Sequence, residues 1–109
     1  MKPSFENQTW VIDAGAVIIE KKSIGGIDSL TPLERLTYCL WVADYGMCNA
    51  GDLRTAKEVY SNFKEEAAQL SQDLALSFTH ETFSLSIQDL EAKYFERFDR
   101  VCDELRNGA

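Results

Sequence analysis

Residues 31–48 read TPLERLTYCLWVADYGMC, and this stretch decides the fold class. Thr31 is a good N-cap, Pro32 suits the first helical position, and Glu34 can close a capping box onto the threonine. Two apolar stripes at helical spacing follow, which are Leu33, Leu36, Leu40, Ala43 and Met47, and Tyr38, Trp41, Val42 and Tyr45. A helix that is apolar on most of its sides is buried among other helices. Asparagine and glycine at 49–51 favour its end. The stretch therefore predicts the central helix of a helical bundle.

The second half of the chain carries two more stripes at helical spacing. Residues 52–75 predict one continuous helix, and residues 86–106 predict the last helix. Their stripes are Leu53, Ala56, Tyr60, Phe63, Ala67, Leu70 and Leu74, and Ile87, Leu90, Tyr94, Phe98, Val101 and Leu105. Residues 76–85 are predicted to be a connection that folds Phe78, Phe83 and Leu85 back onto the core. We therefore expect one all-α domain over residues 1–109, a small bundle of about four helices.

The N-terminal stretch, residues 4–22, has two interpretations. A helix from Ser4 would place four apolar side chains on one face, which are Trp10, Ala14, Val17 and Ile18. A hairpin is the alternative, because two short apolar runs flank the Asp-Ala-Gly sequence at 13–15. The helix is favoured, since a lone hairpin is only marginally stable and the rest of the chain is helical. Residues 23–29 are predicted to be the linker.

The composition predicts an acidic globular protein. The chain has 109 residues, with 11 Lys and Arg against 18 Asp and Glu, and its formal net charge is −7. An acidic surface repels phosphate backbones, so direct nucleic-acid binding is not expected. The first residues lack the apolar segment of a secretory signal, and the longest early run without a polar side chain, 14–19, is too short to cross a bilayer. We expect a cytoplasmic protein that binds no membrane.

The chain offers no recognisable catalytic or metal-binding motif. His80 is the one histidine, and beside Glu81 on a polar connection it is interpreted as solvated or locally hydrogen-bonded. Cys39, Cys48 and Cys102 match neither a CxxC pair nor a zinc framework, and we expect three free thiols. Cys39 and Cys102 are interpreted as small apolar core residues. The sequence therefore predicts no enzyme, no cofactor and no metal.

One charge feature stands above the background. Between Lys64 and Lys93 the chain has six acids and no base, and these interval acids are Glu65, Glu66, Asp73, Glu81, Asp89 and Glu91. If the two helices of the second half pack antiparallel, the interval brackets their connection and forms one negative end. Such an end could dock a basic protein, or it could serve only to keep the protein in solution. A second base-free interval, from 35 to 54, holds Asp44 and Asp52.

The central helix and the turn after it match a known pattern in part. The chain has a Leu-Thr-x-x-Glu helix start at 30–34, a tryptophan at 41, an acid at 44, and the turn Cys-Asn-Ala-Gly-Asp at 48–52. These residues resemble an acidic, all-helical bacterial family that includes a DNA-mimic protein, in which the turn typically reads Asn-Asn-Gly-Gly-Phe. The resemblance covers about residues 20–55, and its motifs are structural rather than catalytic. It implies a helical fold, and an acidic surface that imitates a phosphate backbone.

Three classes of function remain open. The first is a non-catalytic module whose interval acids dock or inhibit a basic protein, such as a DNA-binding regulator or a toxin. The second is a structural module that forms a homodimer through an apolar stripe such as residues 53–74. The third is a small enzyme with His80, Glu81 or a cysteine in a helical cleft. The clustered charge and the lack of a catalytic motif favour the first.

Overall fold

The computed structural model describes residues 4–108, which form six α-helices and one turn of 3-10 helix. The helices are α1 (Phe5–Gly25), α2 (Pro32–Ala50), α3 (Arg54–Val59), α4 (Phe63–Asp73), α5 (Ser77–Phe83) and α6 (Ile87–Asn107), and the 3-10 turn is Ile27–Ser29. Within the described residues no strand is present. The all-α class is confirmed, and the predicted number of about four helices is corrected to six.

The central helix is α2, and its sequence signals act as predicted. The Thr31 hydroxyl accepts the N–H of Glu34, and the Glu34 carboxylate accepts the N–H of Thr31, which completes the capping box. Gly51 ends the helix in the left-handed conformation, at φ 71°, where a side chain would be strained. Helices α1, α3, α4 and α6 all contact α2. The buried core is therefore built around this helix.

Residues 5–25 form a single helix, so the helical interpretation is confirmed and the hairpin is wrong. Gly15 lies inside α1 rather than in a turn. Glycine suits this position because α1 approaches α2 closely there. A Cβ atom at Gly15 would lie 2.2 Å from Cδ1 of Trp41. The face of α1 that meets the core consists of Asn7, Val11, Gly15 and Ile18. Of the face predicted from the sequence, Ile18 is buried but Val17 is exposed. The predicted linker is also shorter, since α1 continues to Gly25.

The predicted helix over residues 52–75 is broken into α3 and α4. Tyr60 separates them in an extended conformation, at φ −151° and ψ 97°. Its ring packs on the ring of Tyr38 with 5.5 Å between centroids, and its hydroxyl donates to Glu66. The stripe is nevertheless core as predicted, since Leu53, Ala56, Phe63 and Ala67 are fully buried. The break therefore changes the path of the chain and keeps the apolar side.

Residues 77–83 form the short helix α5, where a connection was predicted. Glu104 of α6 caps its start, because its carboxylate accepts the N–H of Phe78 at 3.0 Å and the N–H and hydroxyl of Thr79 at 2.7 Å each. Partial burial opposes ionisation of Glu104, but these hydrogen bonds hold the pKa of Glu104 below its ordinary value. Phe83 is buried and Phe78 is partly buried, as predicted.

A polar clasp ties the start of α1 to α6. The N–H and hydroxyl of Ser4 donate to the Asp99 carboxylate at 3.1 and 2.9 Å, and the Asn7 side-chain amide donates to it at 2.9 Å. Arg106 donates to the side-chain oxygen of Asn7 at 2.9 Å. Partial burial of Asp99 opposes its ionisation, but the hydrogen bonds from Asn7 and Ser4 outweigh it and lower the pKa of Asp99. We call Ser4, Asn7, Asp99 and Arg106 the polar clasp.

Candidate functional site

Glu66, one of the six interval acids, is engaged between α2 and α4. The Arg35 guanidinium lies 2.8 Å from its carboxylate, and the Tyr60 hydroxyl donates to the same group. The hydrogen bond with Glu66 raises the pKa of Arg35, and burial together with Glu66 raises the pKa of Tyr60 to about 12. Glu66 therefore holds two helices together.

Two further interval acids also make contacts between elements. The Glu91 carboxylate of α6 accepts the N–H of Leu53 at 2.7 Å, at the start of α3. Glu81 of α5 forms an ion pair of 3.1 Å with Arg97 of α6, although its own side chain is largely exposed. Glu91 thus supports the fold, and the charge of Glu81 is partly offset by Arg97.

The other three interval acids are exposed, and the fold separates two of them, Asp73 and Asp89. Glu65, Asp73 and Asp89 have no ion pair with a basic side chain among the described residues. Leu76, three residues beyond Asp73, packs beside Gly108 at the C-terminal end of α6. Asp89 lies in the first turn of α6, a helix of 21 residues and therefore about 30 Å long. The structure does not bring Asp73 and Asp89 to one end of the molecule.

A groove between α1 and the second half of α2 is a second candidate site. Its volume is about 310 Å³, at the small end of the range for ligand pockets. Its walls are formed by seven side chains, which are Gln8, Ile12, Trp41, Asp44, Tyr45, Cys48 and Asn49. Trp41 and Tyr45 stack with 5.4 Å between ring centroids. We call this site the α1–α2 groove.

Asp44 gives the α1–α2 groove its charge. Its side chain is buried, with 7% exposed, and one oxygen accepts the Tyr94 hydroxyl of α6 at 2.8 Å. Burial raises the pKa of Asp44, and hydrogen bonds from Tyr94 and Cys48 only partly oppose this shift. Among residues 4–108 no basic side chain pairs with it. A buried carboxylate without a cation costs free energy, so core packing alone does not account for an aspartate at position 44.

The sequence signals for this groove belong to a pattern that predicts packing rather than a binding site. Trp41 and Tyr45 belong to the second apolar stripe of the central helix, and stripes of this kind are usually core. Asp44 directly precedes Tyr45 of that stripe and belongs to the base-free interval from 35 to 54. What the sequence could not show is that α1 leaves this part of α2 uncovered.

The residues considered for chemistry occupy structural positions. The Nδ1 atom of His80 lies 2.8 Å from the carbonyl oxygen of Ala68, so His80 is locally hydrogen-bonded, as predicted. Cys39 and Cys102 are buried as predicted, and Cys48 is exposed. Burial raises the pKa of Cys39 and Cys102, and partial desolvation together with nearby Asp44 raises the pKa of Cys48 to about 11. In the described part of the chain, no three His, Cys, Asp or Glu side chains are grouped to hold a metal ion.

Comparisons with known proteins identify no relative of this chain. No protein-family model, curated protein or solved structure matches the chain. The resemblance of residues 20–55 to the acidic helical family stays a prediction that rests on its residues. Each helix within residues 4–108 is too short or too polar to cross a membrane.

Proposed function

We propose that the protein is a non-catalytic binding module that docks, and thereby inhibits, a basic protein. The observation that supports this best is the surplus of carboxylates at the surface. In the described chain, six acids form ion pairs with basic side chains. Eight other acids are exposed and outside these pairs, namely Asp13, Glu20, Glu58, Glu65, Asp73, Asp89, Glu96 and Asp103. This surplus produces a negative field that attracts a basic surface.

The field would act on association more than on the final contacts. Exposed charges steer a partner of opposite charge during encounter, and salt screens them. A partner that normally binds nucleic acid carries the basic surface that such acids would cover. Occupation of that surface would block nucleic acid, which agrees with the resemblance to a family that includes a DNA-mimic protein.

Charge reversal tests the proposal. Affinity purification of the tagged protein from its own cells, with mass spectrometry, would identify candidate partners, and purified pairs would then be studied by stopped-flow association. Reversing Glu65, Asp73 and Asp89 to lysine changes the net charge from −7 to −1. Each exposed substitution should cost under about 0.5 kcal/mol, so the fold should persist. Association should become slower and less dependent on salt.

A matched control separates a local surface from overall charge. Reversing Asp13, Glu20 and Glu58 to lysine makes the same change in net charge on α1 and α3. A larger effect of the interval acids would show that the partner approaches the helices that carry them, α4 and α6, and equal effects would indicate the overall field. Association that is fast and independent of salt in wild type and in both variants would refute the proposal.

A homodimer is the second candidate function, and the exposed side chains of α1 favour it. Phe5 and Ile24 are 85% and 82% exposed, and Ile12 and Val17 are also exposed. The stripe over residues 53–74 is a poorer surface, because its central residues are buried within the chain. Light scattering after size exclusion would test this function. A dimer that dissociates in a Phe5→Ser, Ile24→Ser variant would support it, and a monomer at all concentrations would exclude it.

A further inference from the structure

The α1–α2 groove combines two groups that recognise an organic cation. Tyr45, which stacks on Trp41 and is 41% exposed, offers an aromatic ring that attracts a guanidinium or ammonium group through its quadrupole. The carboxylate of Asp44 lies in the same groove and can accept hydrogen bonds from such a group. The apolar wall formed by Ile12 suits the aliphatic stem that arginine and lysine side chains carry.

We propose that the α1–α2 groove is a socket for an arginine side chain of a basic protein partner. In this arrangement the guanidinium lies against the exposed ring of Tyr45 and donates hydrogen bonds to Asp44. The socket rests on the proposed function, because that function supplies a partner rich in arginine or lysine. It adds a defined point of contact to what would otherwise be a diffuse attraction between charged surfaces.

The hydrogen bonding of Asp44 supports the socket by comparison with other acids of the fold. Glu104 accepts three hydrogen bonds from α5, and Asp99 accepts three from Ser4 and Asn7 within the polar clasp. Asp44 is more deeply buried than either, yet the one oxygen or nitrogen donor hydrogen-bonded to it within residues 4–108 is the Tyr94 hydroxyl. A carboxylate has about four acceptor positions, so Asp44 retains capacity for a charged donor.

The aromatic row along α2 shows why the open end is the one at Tyr45. Tyr38, Trp41 and Tyr45 follow one another, with 6.2 and 5.4 Å between successive ring centroids. Lys22 of α1 already lies over the Tyr38 ring, 5.3 Å from its centroid. Tyr45, at the other end, is 41% exposed. Within residues 4–108, one end of the row is therefore covered by a cation and the other end is open beside Asp44.

Arginine fits this groove better than lysine does. Its planar guanidinium stacks on aromatic rings and can donate two parallel hydrogen bonds to one carboxylate, whereas an ammonium group is a compact and strongly hydrated charge. The same pairing occurs within this fold, where the guanidinium carbons of Arg97 and Arg100 lie 4.2 and 3.9 Å from the ring centroid of Phe78. The socket would form such a contact with a side chain from outside.

Titration with small amides tests the socket without any partner. The probes are N-acetyl-arginine amide, its lysine counterpart, and the citrulline amide, which has nearly the shape of arginine but no charge. Binding would be followed in ¹H–¹⁵N NMR spectra through the indole N–H of Trp41 and the backbone N–H groups of Tyr45 and Asn49. We expect the arginine amide to shift these signals, the lysine amide to bind more weakly, and the citrulline amide to leave them unchanged.

Two variants of equal net charge decide where the arginine amide binds. Asp44→Asn keeps an oxygen for the Tyr94 hydroxyl and removes the charge, and it should weaken binding about tenfold or more. Glu65→Gln removes one charge from an exposed position of α4 and should leave the affinity within about twofold of wild type. If Asp44→Asn fails to fold, Tyr45→Ala decides instead, because it removes only an exposed ring and should weaken binding at least about threefold.

Several results would overturn the socket and leave the proposed function standing. Equal binding of the arginine and citrulline amides would exclude a charge-based site. Shifts spread over exposed acids, or equal losses in Asp44→Asn and Glu65→Gln, would show general attraction to the acidic surface. The opposite result is also distinguishable. If the arginine amide binds only in the groove, and partner association depends neither on salt nor on the interval acids, the socket is supported and the diffuse acidic surface is refuted.

Discussion

Replacing Gly15 with alanine should destabilise the protein although it improves the helix. Alanine is better than glycine in a helix interior by about 1 kcal/mol. At this position, however, the new Cβ would lie 2.2 Å from Cδ1 and 2.7 Å from Cγ of Trp41. Carbon atoms in contact prefer about 3.5–4.0 Å, so the indole would have to retreat by roughly 1.3 Å or more.

The surroundings of the indole determine the size of this effect. Trp41 is stacked between Tyr38 and Tyr45, at 6.2 and 5.4 Å between ring centroids, and cannot move without disturbing them. Overpacking of a core typically costs about 1–3 kcal/mol, and this restrained ring should be at the upper end. After subtraction of the gain in helix propensity, Gly15→Ala should lower the free energy of unfolding by about 1–2 kcal/mol.

Urea unfolding followed by circular dichroism at 222 nm would measure the change. The control is the same substitution in a Trp41→Leu background, where the smaller side chain leaves room for the Cβ. There Gly15→Ala should become stabilising by up to about 1 kcal/mol, because only the helix propensity remains. If Gly15→Ala stabilises the protein while Trp41 is present, close packing of α1 on this ring is not what requires glycine.

Other perturbations test the polar contacts and the thiols. Glu104→Gln should lower the free energy of unfolding by about 1.5–3 kcal/mol, since it weakens charged hydrogen bonds at the start of α5. The difference in stability between wild type and Glu104→Gln should be full above about pH 4.3, the ordinary pKa of a glutamate. It should shrink at lower pH, because a carboxylate whose pKa is lowered in the folded state stops stabilising the fold as pH falls through that lowered pKa. Urea titrations from pH 3 to 7 would measure this change. Tyr94→Phe should cost about 1–3 kcal/mol in the same assay at neutral pH, because it leaves buried Asp44 without its hydroxyl donor. Thiol titration of the denatured, unreduced protein should find all three cysteines, and a single thiol would indicate an internal disulfide.

The sequence predicted best where one local segment contains all the signals. The start of α2 is such a case, since Thr31, Pro32 and Glu34 are adjacent and together close the capping box. The apolar stripes likewise identified most of the buried residues. A stripe reports which side of a chain is buried, however, and not whether the helix axis is continuous. This is why the break at Tyr60 was missed although its neighbours in the stripe are core.

The missed features depend on contacts that are distant in sequence. Helix α5 has seven residues and receives its cap from Glu104, 25 residues beyond Thr79. The charge of the α1–α2 groove depends on Asp44. Within the described structure, the hydroxyl that donates a hydrogen bond to Asp44 belongs to Tyr94, which is 50 residues away in sequence. Single-residue patterns carry no information on such pairs. The six interval acids form one run in the charge pattern, but Asp73 and Asp89 are far apart in space, because the end of α4 lies near the C-terminal end of α6 and Asp89 lies in the first turn of α6.

The polar clasp also has a kinetic consequence. Its hydrogen bond from Ser4 to Asp99 spans 95 residues, and closing a flexible loop of that size costs about 4 kcal/mol of chain entropy beyond a constant. Because α1 can first dock on α2, its neighbour in sequence, the clasp should form after the folding transition state. We therefore expect Asp99→Asn to speed unfolding while leaving the refolding rate nearly unchanged in stopped-flow experiments. The clasp would then set how long the native state persists rather than how quickly it is reached.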